Sequence, residues 1–288
     1  VYKYDSNGTF NKSWFVVIDA YATSIAVDDK SDCLYIAEGG RIHRSDFNGT
    51  KVENWATLTG ERIESMDVDE NGYVYVSASD WYPRNAHVVK FHPNGTIVGG
   101  WGSYGSDPDQ FNYIYGIAVD DKNGYVYVCD GASTFDFPGR LDRVAKFTKE
   151  GEYLTSLPDG FCWPEDVAVD ANGFLYVADS GNDRIEKFDS NGMLLVSWGQ
   201  WGYEEGNFSR PLAVTVDLND YIYIGDISPP EYEPSPFRLG RVQKFTQRAE
   251  EKPPFDDSLP DRDGDGLENV VETAGWNVTF TNVTSTYT

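Results

Sequence analysis

The chain has 288 residues, ample for one large domain or two modest ones, and sets 23 Lys+Arg against 47 Asp+Glu for a formal charge of −24. Such a surface repels a nucleic-acid backbone or an anionic membrane, which leaves cations and basic or neutral polymers as partners. Aromatics at 15%, 28 glycines and few helix-forming runs point to an all-β protein, and no apolar stretch approaches the roughly 18 residues of a membrane span.

Residues 1–14 read as a strand, a turn at Asp5-Ser6-Asn7-Gly8 and a second strand ending in Trp14. Five longer units follow. Each opens with an alternating strand, an Asp-containing turn and another alternating strand: Ile25–Ile36, Met66–Val76, Ile117–Val128, Val167–Val177 and Val214–Ile224. Their marker aspartates, Asp28, Asp69, Asp120, Asp170 and Asp217, recur at intervals of 41, 51, 50 and 47 residues. Third strands come next, beginning Arg41-Ile42, His87-Val88, Arg143-Val144, Arg184-Ile185 and Arg241-Val242, and fourth strands end in Trp55, Trp101 and Trp198. Short antiparallel units of this length suit blades arranged around an axis. Residues 1–14 match only the second half of a unit. The expected architecture is therefore a six-bladed, incomplete propeller over 1–248, a half blade followed by five whole ones. The missing inner hairpin is expected from a longer precursor or from a strand supplied by the tail, in this chain or a neighbour; five-bladed closure is the third option.

Residues 249–260 form an acidic, Pro-rich linker, and 261–288 combine a calcium loop with a β-like tail. In the loop, Asp261, Asp263, Asp265, Asn269 and Glu272 fall at positions 1, 3, 5, 9 and 12, with Gly266 at the turn and the Leu267 carbonyl at position 7. A chain curling around Ca2+ offers every second residue, and calcium wants six to eight oxygens. The expected cofactor is Ca2+.

Two resemblances rest on these residues. Trp101-Gly102-Ser103-Tyr104-Gly105, Trp198-Gly199-Gln200-Trp201-Gly202 and Tyr176–Ile185 resemble the NHL-repeat β-propellers. That resemblance implies the fold but leaves binding platforms, lyases and lactonases all open. The loop and the adjoining Gly275-Trp276-Asn277-Val278 resemble the thrombospondin type 3-like calcium repeats of microbial surface proteins, which implies an extracellular location. Seven N-x-S/T acceptors, at Asn7, Asn11, Asn48, Asn94, Asn207, Asn277 and Asn282, agree with secretion.

Loops before the first strand and between the second and third strands share one face of a propeller. The long inserts on that face carry Trp81, Tyr82, Phe135, Phe137 and Tyr232, a candidate surface for a protein or glycan, or packing over the blade tops. Cys129 and Cys162 come to the same face in neighbouring blades and are a candidate disulfide, with Cys33 a buried small hydrophobe. The marker aspartates read as turn caps. Glu38, Asp130, Asp179 and Asp226, after the second strands, are where a calcium-dependent propeller hydrolase or lyase would hold an axial metal. The three histidines, His43, His87 and His92, do not converge, and no catalytic residue is assigned. The expected role is a non-enzymatic, calcium-binding module of a microbial cell-surface or secreted assembly. The alternatives are a self-assembling filament or surface-layer subunit with strands donated between chains, and the hydrolase or lyase.

Overall fold

The computed structural model describes residues 2–4, 10–13, 22–50, 52–81, 84–131, 142–158, 160–227, 240–247 and 278–281. Strands β1 (Tyr2–Tyr4) and β2 (Phe10–Ser13) pair as an antiparallel ribbon. Blade one contains β3 (Ala22–Asp28), β4 (Cys33–Glu38), β5 (Arg41–Asp46) and β6 (Val52–Thr57), and blade two β7 (Arg62–Val68), β8 (Val74–Trp81), β9 (Arg84–Phe91) and β10 (Ile97–Trp101). Blade three contains β11 (Tyr113–Asp120), β12 (Tyr125–Gly131), β13 (Arg143–Thr148) and β14 (Tyr153–Ser156). Blade four contains β15 (Pro164–Val169), β16 (Leu175–Asp179), β17 (Arg184–Phe188) and β18 (Leu194–Trp198). Blade five contains β19 (Ala213–Val216), β20 (Tyr221–Ile227), β21 (Gly240–Gln247) and β22 (Val278–Thr281). The innermost strands pack in succession, β3 on β7 on β11 on β15 on β19. Among the described residues five four-stranded blades form, and the half blade β1–β2 gains no inner hairpin that would make it the sixth. The tail supplies an outer strand, since β22 pairs antiparallel with β21 and fills the fourth place of blade five rather than the place beside β1–β2.

The hairpins form where the sequence stores turn chemistry. Asp69 Oδ1 accepts the amides of Asn71 and Tyr73, and its Oδ2 accepts the Tyr75 hydroxyl at 3.4 Å. Asp170 repeats this with Asn172, Phe174 and Tyr176, and Asp217 with Asn219, Tyr221 and Tyr223. The marker aspartates are therefore turn caps. In the Trp-Gly turns, Gly102 and Gly199 have φ of +93° and +94°, and a Cβ on either would run into the ring of Phe111 or Phe208. Only glycine lets these phenyl rings pack under the loop.

Alternation along each strand builds a core between blades rather than within them. One blade offers small and aromatic residues on its trailing face, and the next covers them with aliphatics on its leading face. Between blades one and two, for example, Ala26, Tyr35, Ala37 and Ile42 meet Met66, Val74, Val76 and Phe91. The seams from blades two to three, three to four and four to five repeat the pattern. Trp55, Trp101 and Trp198 belong to these seams: Trp101 packs on Phe147 at 5.8 Å and Trp198 on Phe245 at 6.1 Å, centroid to centroid. A lysine of each third strand from blade two onward lies over two rings of the same blade's inner hairpin: Lys90 over Tyr73 and Tyr75, Lys146 over Tyr125 and Tyr127, Lys187 over Phe174 and Tyr176, Lys244 over Tyr221 and Tyr223. Burial lowers the pKa of Lys146 and Lys187, with nearby aspartates opposing the shift.

Candidate functional site: the axial mouth

Residues at the end of each second strand face the loop that enters the same blade. Asp130 Oδ1 accepts the amides of Asn112 and Tyr113, while its Oδ2 takes Arg143 Nε at 3.1 Å. The same guanidinium donates to the Gln110 carbonyl. In blade four, Asp179 holds the Cys162 amide, Asn182 and Arg184, and Arg184 reaches the Gly160 carbonyl. In blade five, Asp226 holds the Ser209 amide and Arg241, which also grips the Asn207 carbonyl. Each carboxylate is thus consumed in a clip that ties the entry loop to the third strand. Asp130, Asp179 and Asp226 do not meet as an axial metal set. Glu38 lies against His43 Nε2 at 3.0 Å, inside blade one. Among the described residues no three His, Cys, Asp or Glu side chains come together as a metal-holding group.

Blade two breaks the clip, with Ala78 opposite His87 and His87 Nε2 turned to Glu61 Oε2 at 3.3 Å. The three histidines are dispersed, as expected: His43 on Glu38, His87 on Glu61, and His92 accepting the Asn94 amide.

What the geometry does gather is a column that no motif marks. Each innermost strand of blades one to four has a bulge near its start, where pairing jumps from Ala22 to Ser24, Ile63 to Ser65, Ile114 to Ile117 and Pro164 to Asp166. The displaced residues include Thr23, Glu64, Tyr115 and Glu165, and Leu212 stands at the matching place in blade five. A bulge re-aims the side chain it carries. Ser79 Oγ donates to Glu64 Oε1 at 2.7 Å, and Arg62 Nε lies 3.3 Å from Glu64 Oε2. Arg210 Nη2 reaches Glu165 Oε1 at 3.4 Å and its guanidinium lies 5.7 Å from the Trp163 ring centre. Burial raises the Glu165 pKa, Arg210 opposes the rise, and the charge of Glu64 adds to it. Burial, then the charges of Glu165 and Glu64, push Tyr115 up to about 12. Its hydroxyl therefore remains a proton donor at physiological pH. Carboxylates, guanidinium groups, a phenol and an indole thus ring the start of the innermost strands, and Gly131 leaves room for the flat of the Tyr115 ring. This mixture suits hydrogen bonding to a polar ligand with ring stacking beneath it. The signal lay two positions before the aligned strands, read down the column rather than along the chain.

Below the mouth two more carboxylates sit in the seams. Asp67 Oδ2 accepts the Val119 amide of blade three at 2.8 Å, and Asp166 Oδ2 accepts the Val214 amide of blade five at 2.9 Å. Burial pushes Asp67 up to about 6 and Asp166 to about 7, against the amide bonds that favour the ionised form.

The remaining expected sites divide plainly. Trp81 pairs with Arg84 at the tip of a β8–β9 hairpin longer than its counterparts, with Asp80 Oδ1 accepting the Asn85 amide. Tyr82, Phe135, Phe137 and Tyr232 lie outside the described residues, as do Asp261, Asp263, Asp265, Leu267, Asn269, Glu272, Asn7, Asn277 and Asn282. Asn48 and Asn94 stand in turns between third and fourth strands, Asn11 is on β2, and Asn207 is half-buried. The Cys129–Cys162 disulfide is not formed, and all three cysteines are free. Cys129 is directed into the seam core with Leu157, Phe161 and Val167, while Cys162 Sγ lies against Gly181. Cys33 is buried, as expected.

Comparison with known proteins agrees with the fold. Residues 161–188 match the NHL repeat. NHL repeat-containing protein 3 of mouse is 28% identical over 202 residues, covering 63% of this chain and 56% of that protein. A probable peptidyl-alpha-hydroxyglycine alpha-amidating lyase of Caenorhabditis elegans is 24% identical over 149 residues, covering 50% of this chain and 36% of that protein. The chain thus spans about half the length of these relatives, or less. Among solved structures, a luciferin-regenerating enzyme superposes with a TM-score of 0.57 at 14% identity, covering 85% of this chain and 83% of that one. Virginiamycin B lyase from Staphylococcus aureus does so at 0.54 and 16%, covering 81% of this chain and 69% of that one. At such identities the likeness is one of fold: the chain carries an NHL repeat and folds as a β-propeller.

Proposed function

We propose that this propeller is a non-enzymatic binding module of a microbial secreted or cell-surface protein, and that it takes a protein or glycan partner at the axial mouth. One observation carries the reading. The carboxylates where the alternative hydrolase or lyase would hold its metal, Asp130, Asp179 and Asp226, are each committed to an arginine clip, whereas Glu64, Tyr115, Glu165 and Arg210 meet at the mouth in a mixed polar and aromatic ring. Polyhydroxylated or peptide ligands are held by such rings through hydrogen bonds and stacking. A glycan array and a peptide library, probed with the full chain, test it. Ligands lost on Glu165→Gln or Tyr115→Phe support the reading, while turnover of a lactone or an amidated-peptide precursor by the wild-type chain would replace it with the hydrolase or lyase.

The reading includes Ca2+ at Asp261, Asp263, Asp265, Leu267, Asn269 and Glu272. Neutralising those carboxylates orders a segment that otherwise repels itself, at the C-terminal edge of the propeller. Chelation should expose 249–288 to protease and leave the five blades intact; a cleavage pattern indifferent to chelator removes calcium from the account.

A further inference from the structure

Residues 199–212 enter blade five on the face that carries the mouth, and their bend presents two rings that the repeat does not need. Trp201 is 67% exposed and Tyr203 39% exposed, with ring centres 5.8 Å apart and planes at 60°. The matching loop of blade three, aligned by the bridges Tyr104–Phe111 and Trp201–Phe208, has a half-buried Tyr104 and then Ser106 at these places. An indole left in water forgoes the burial that Trp101 and Trp198 gain in the seams.

The bend is nevertheless fastened from beneath. The Gly202 amide donates to the Phe208 carbonyl at 3.0 Å, the Phe208 amide to the Gln200 carbonyl at 2.9 Å, and the Gly206 amide to Gln243 Oε1 at 3.0 Å. Arg241 grips the Tyr203 and Asn207 carbonyls, and Phe208 is wholly buried. The two rings thus stand on fixed backbone, which lowers the ordering cost of any contact they make.

From blade two onward, each inner-hairpin pair of rings has a lysine above it, at 3.6–5.5 Å from the ring centres. Among the described residues no lysine or arginine lies over Trp201 or Tyr203, and the exposed Glu204 and Glu205 that follow them enter no ion pair. We propose that this corner is a docking point for a basic segment of a protein partner, seating a cationic side chain on Trp201 and Tyr203 with Glu204 and Glu205 as its counter-ions. Charge selects the occupant. A chain of formal charge −24 draws cations, and ring faces attract them at short range. A guanidinium adds flat stacking and a fork that matches a carboxylate, so arginine is preferred to lysine. A neutral saccharide could cover the rings but would gain nothing from the charge. The inference rests on the molecule being a binding module and not on the residues of the mouth.

The probe is an alternating Gly-Arg octapeptide, titrated into the 288-residue chain by NMR beside Gly-Lys and Gly-Gln versions and beside chitohexaose. Expected are saturable binding that weakens from Gly-Arg to Gly-Lys to Gly-Gln, and a shift of the Trp201 indole resonance, assigned by its loss in Trp201→Phe. Affinity should fall roughly fivefold with Trp201→Ala, and by a similar factor with Glu204→Gln/Glu205→Gln. Asp107→Asn/Asp109→Asn makes the same change of net charge on the matching loop of blade three and should cost clearly less. Equal losses from the two charge variants, or an unmoved Trp201 resonance, overturn the proposal, because the peptide would then answer only to the overall field of the chain. Chitohexaose shifting that resonance at a lower concentration than the Gly-Arg peptide overturns it in favour of a saccharide. Peptide binding lost with Glu165→Gln and kept with Trp201→Ala would overturn it and leave the mouth as the site, so the two readings fail separately.

Discussion

Blades two and four occupy equivalent places in the repeat but fasten their entry loops differently. Blade four uses Asp179 and Arg184, which together hold the Cys162 amide and the Gly160 carbonyl; blade two has Ala78 and His87, and the histidine turns to Glu61. Both blades nevertheless bury the same seam residues, Val88 and Ile185 alike at 0% exposure. The clip is therefore not what makes a blade. It fixes the loops of the face that carries the mouth, where blade two extends instead into the long β8–β9 hairpin.

Breaking the stronger clip should give the largest effect. Arg184→Ala leaves Asp179 buried without its cation and should destabilise by roughly 3–5 kcal/mol, whereas His87→Ala should cost clearly less. Urea unfolding of the two variants measures the gap, and equal losses would remove the clip as a distinct device. A second substitution separates loop from seam. Gly199→Ala forces a side chain into φ +94° and against Phe208, so a cost of about 2–4 kcal/mol is expected from backbone strain and overpacking together. Leu218→Ala, at a site 84% exposed, should stay within about 0.5 kcal/mol. Sharpening the comparison means grafting the clip: Ala78→Asp with His87→Arg should stabilise blade two by about 1 kcal/mol if the Asp130–Arg143 geometry transfers. A neutral or negative result would show that Glu61 and the blade-two loop have been shaped around the histidine.

The fold was legible because its punctuation is local. A marker aspartate caps its own turn within a few residues, and the Trp-Gly pair encloses a phenyl ring about ten residues on, so each unit declares itself without knowledge of its neighbours. The site was not legible in that way. Asp130, Asp179 and Asp226 looked available because a carboxylate after a strand does not reveal that an arginine of the next strand will be folded onto it. Glu64, Tyr115 and Glu165 lie about 50 residues apart in the chain and come within electrostatic reach of one another only when bulges turn them together. Cys129 and Cys162 failed as a pair for the same reason. Sharing a face did not determine direction, and Cys129 follows the alternation of β12 into the seam. The tail strand β22 was foreseen as a donor, but its acceptor, the open edge of β21, depends on blade five lacking a fourth strand of its own.

The smallest expected effect concerns the two kinds of carboxylate that the comparison separates, those in clips and those in seams. Asp67 and Asp166 titrate near 6 and 7 in the folded chain, and Glu186 near 7, against roughly 4 in an unfolded one. Between those values the folded state binds more protons, so these groups make stability fall as pH rises from about 4 to about 7 and level off above it. Asp130 behaves likewise at about 6 despite Arg143, since burial outweighs the guanidinium. The loss of self-repulsion from a charge of −24 acts in the same direction. Tm should accordingly be higher at pH 5 than at pH 7.5. Asp166→Asn keeps an oxygen for the Val214 amide while abolishing the titration, so its Tm should change less over that interval than wild type. If it tracks wild type throughout, the seam aspartates carry no part of the pH dependence, and the surface charge and the other buried acids account for all of it.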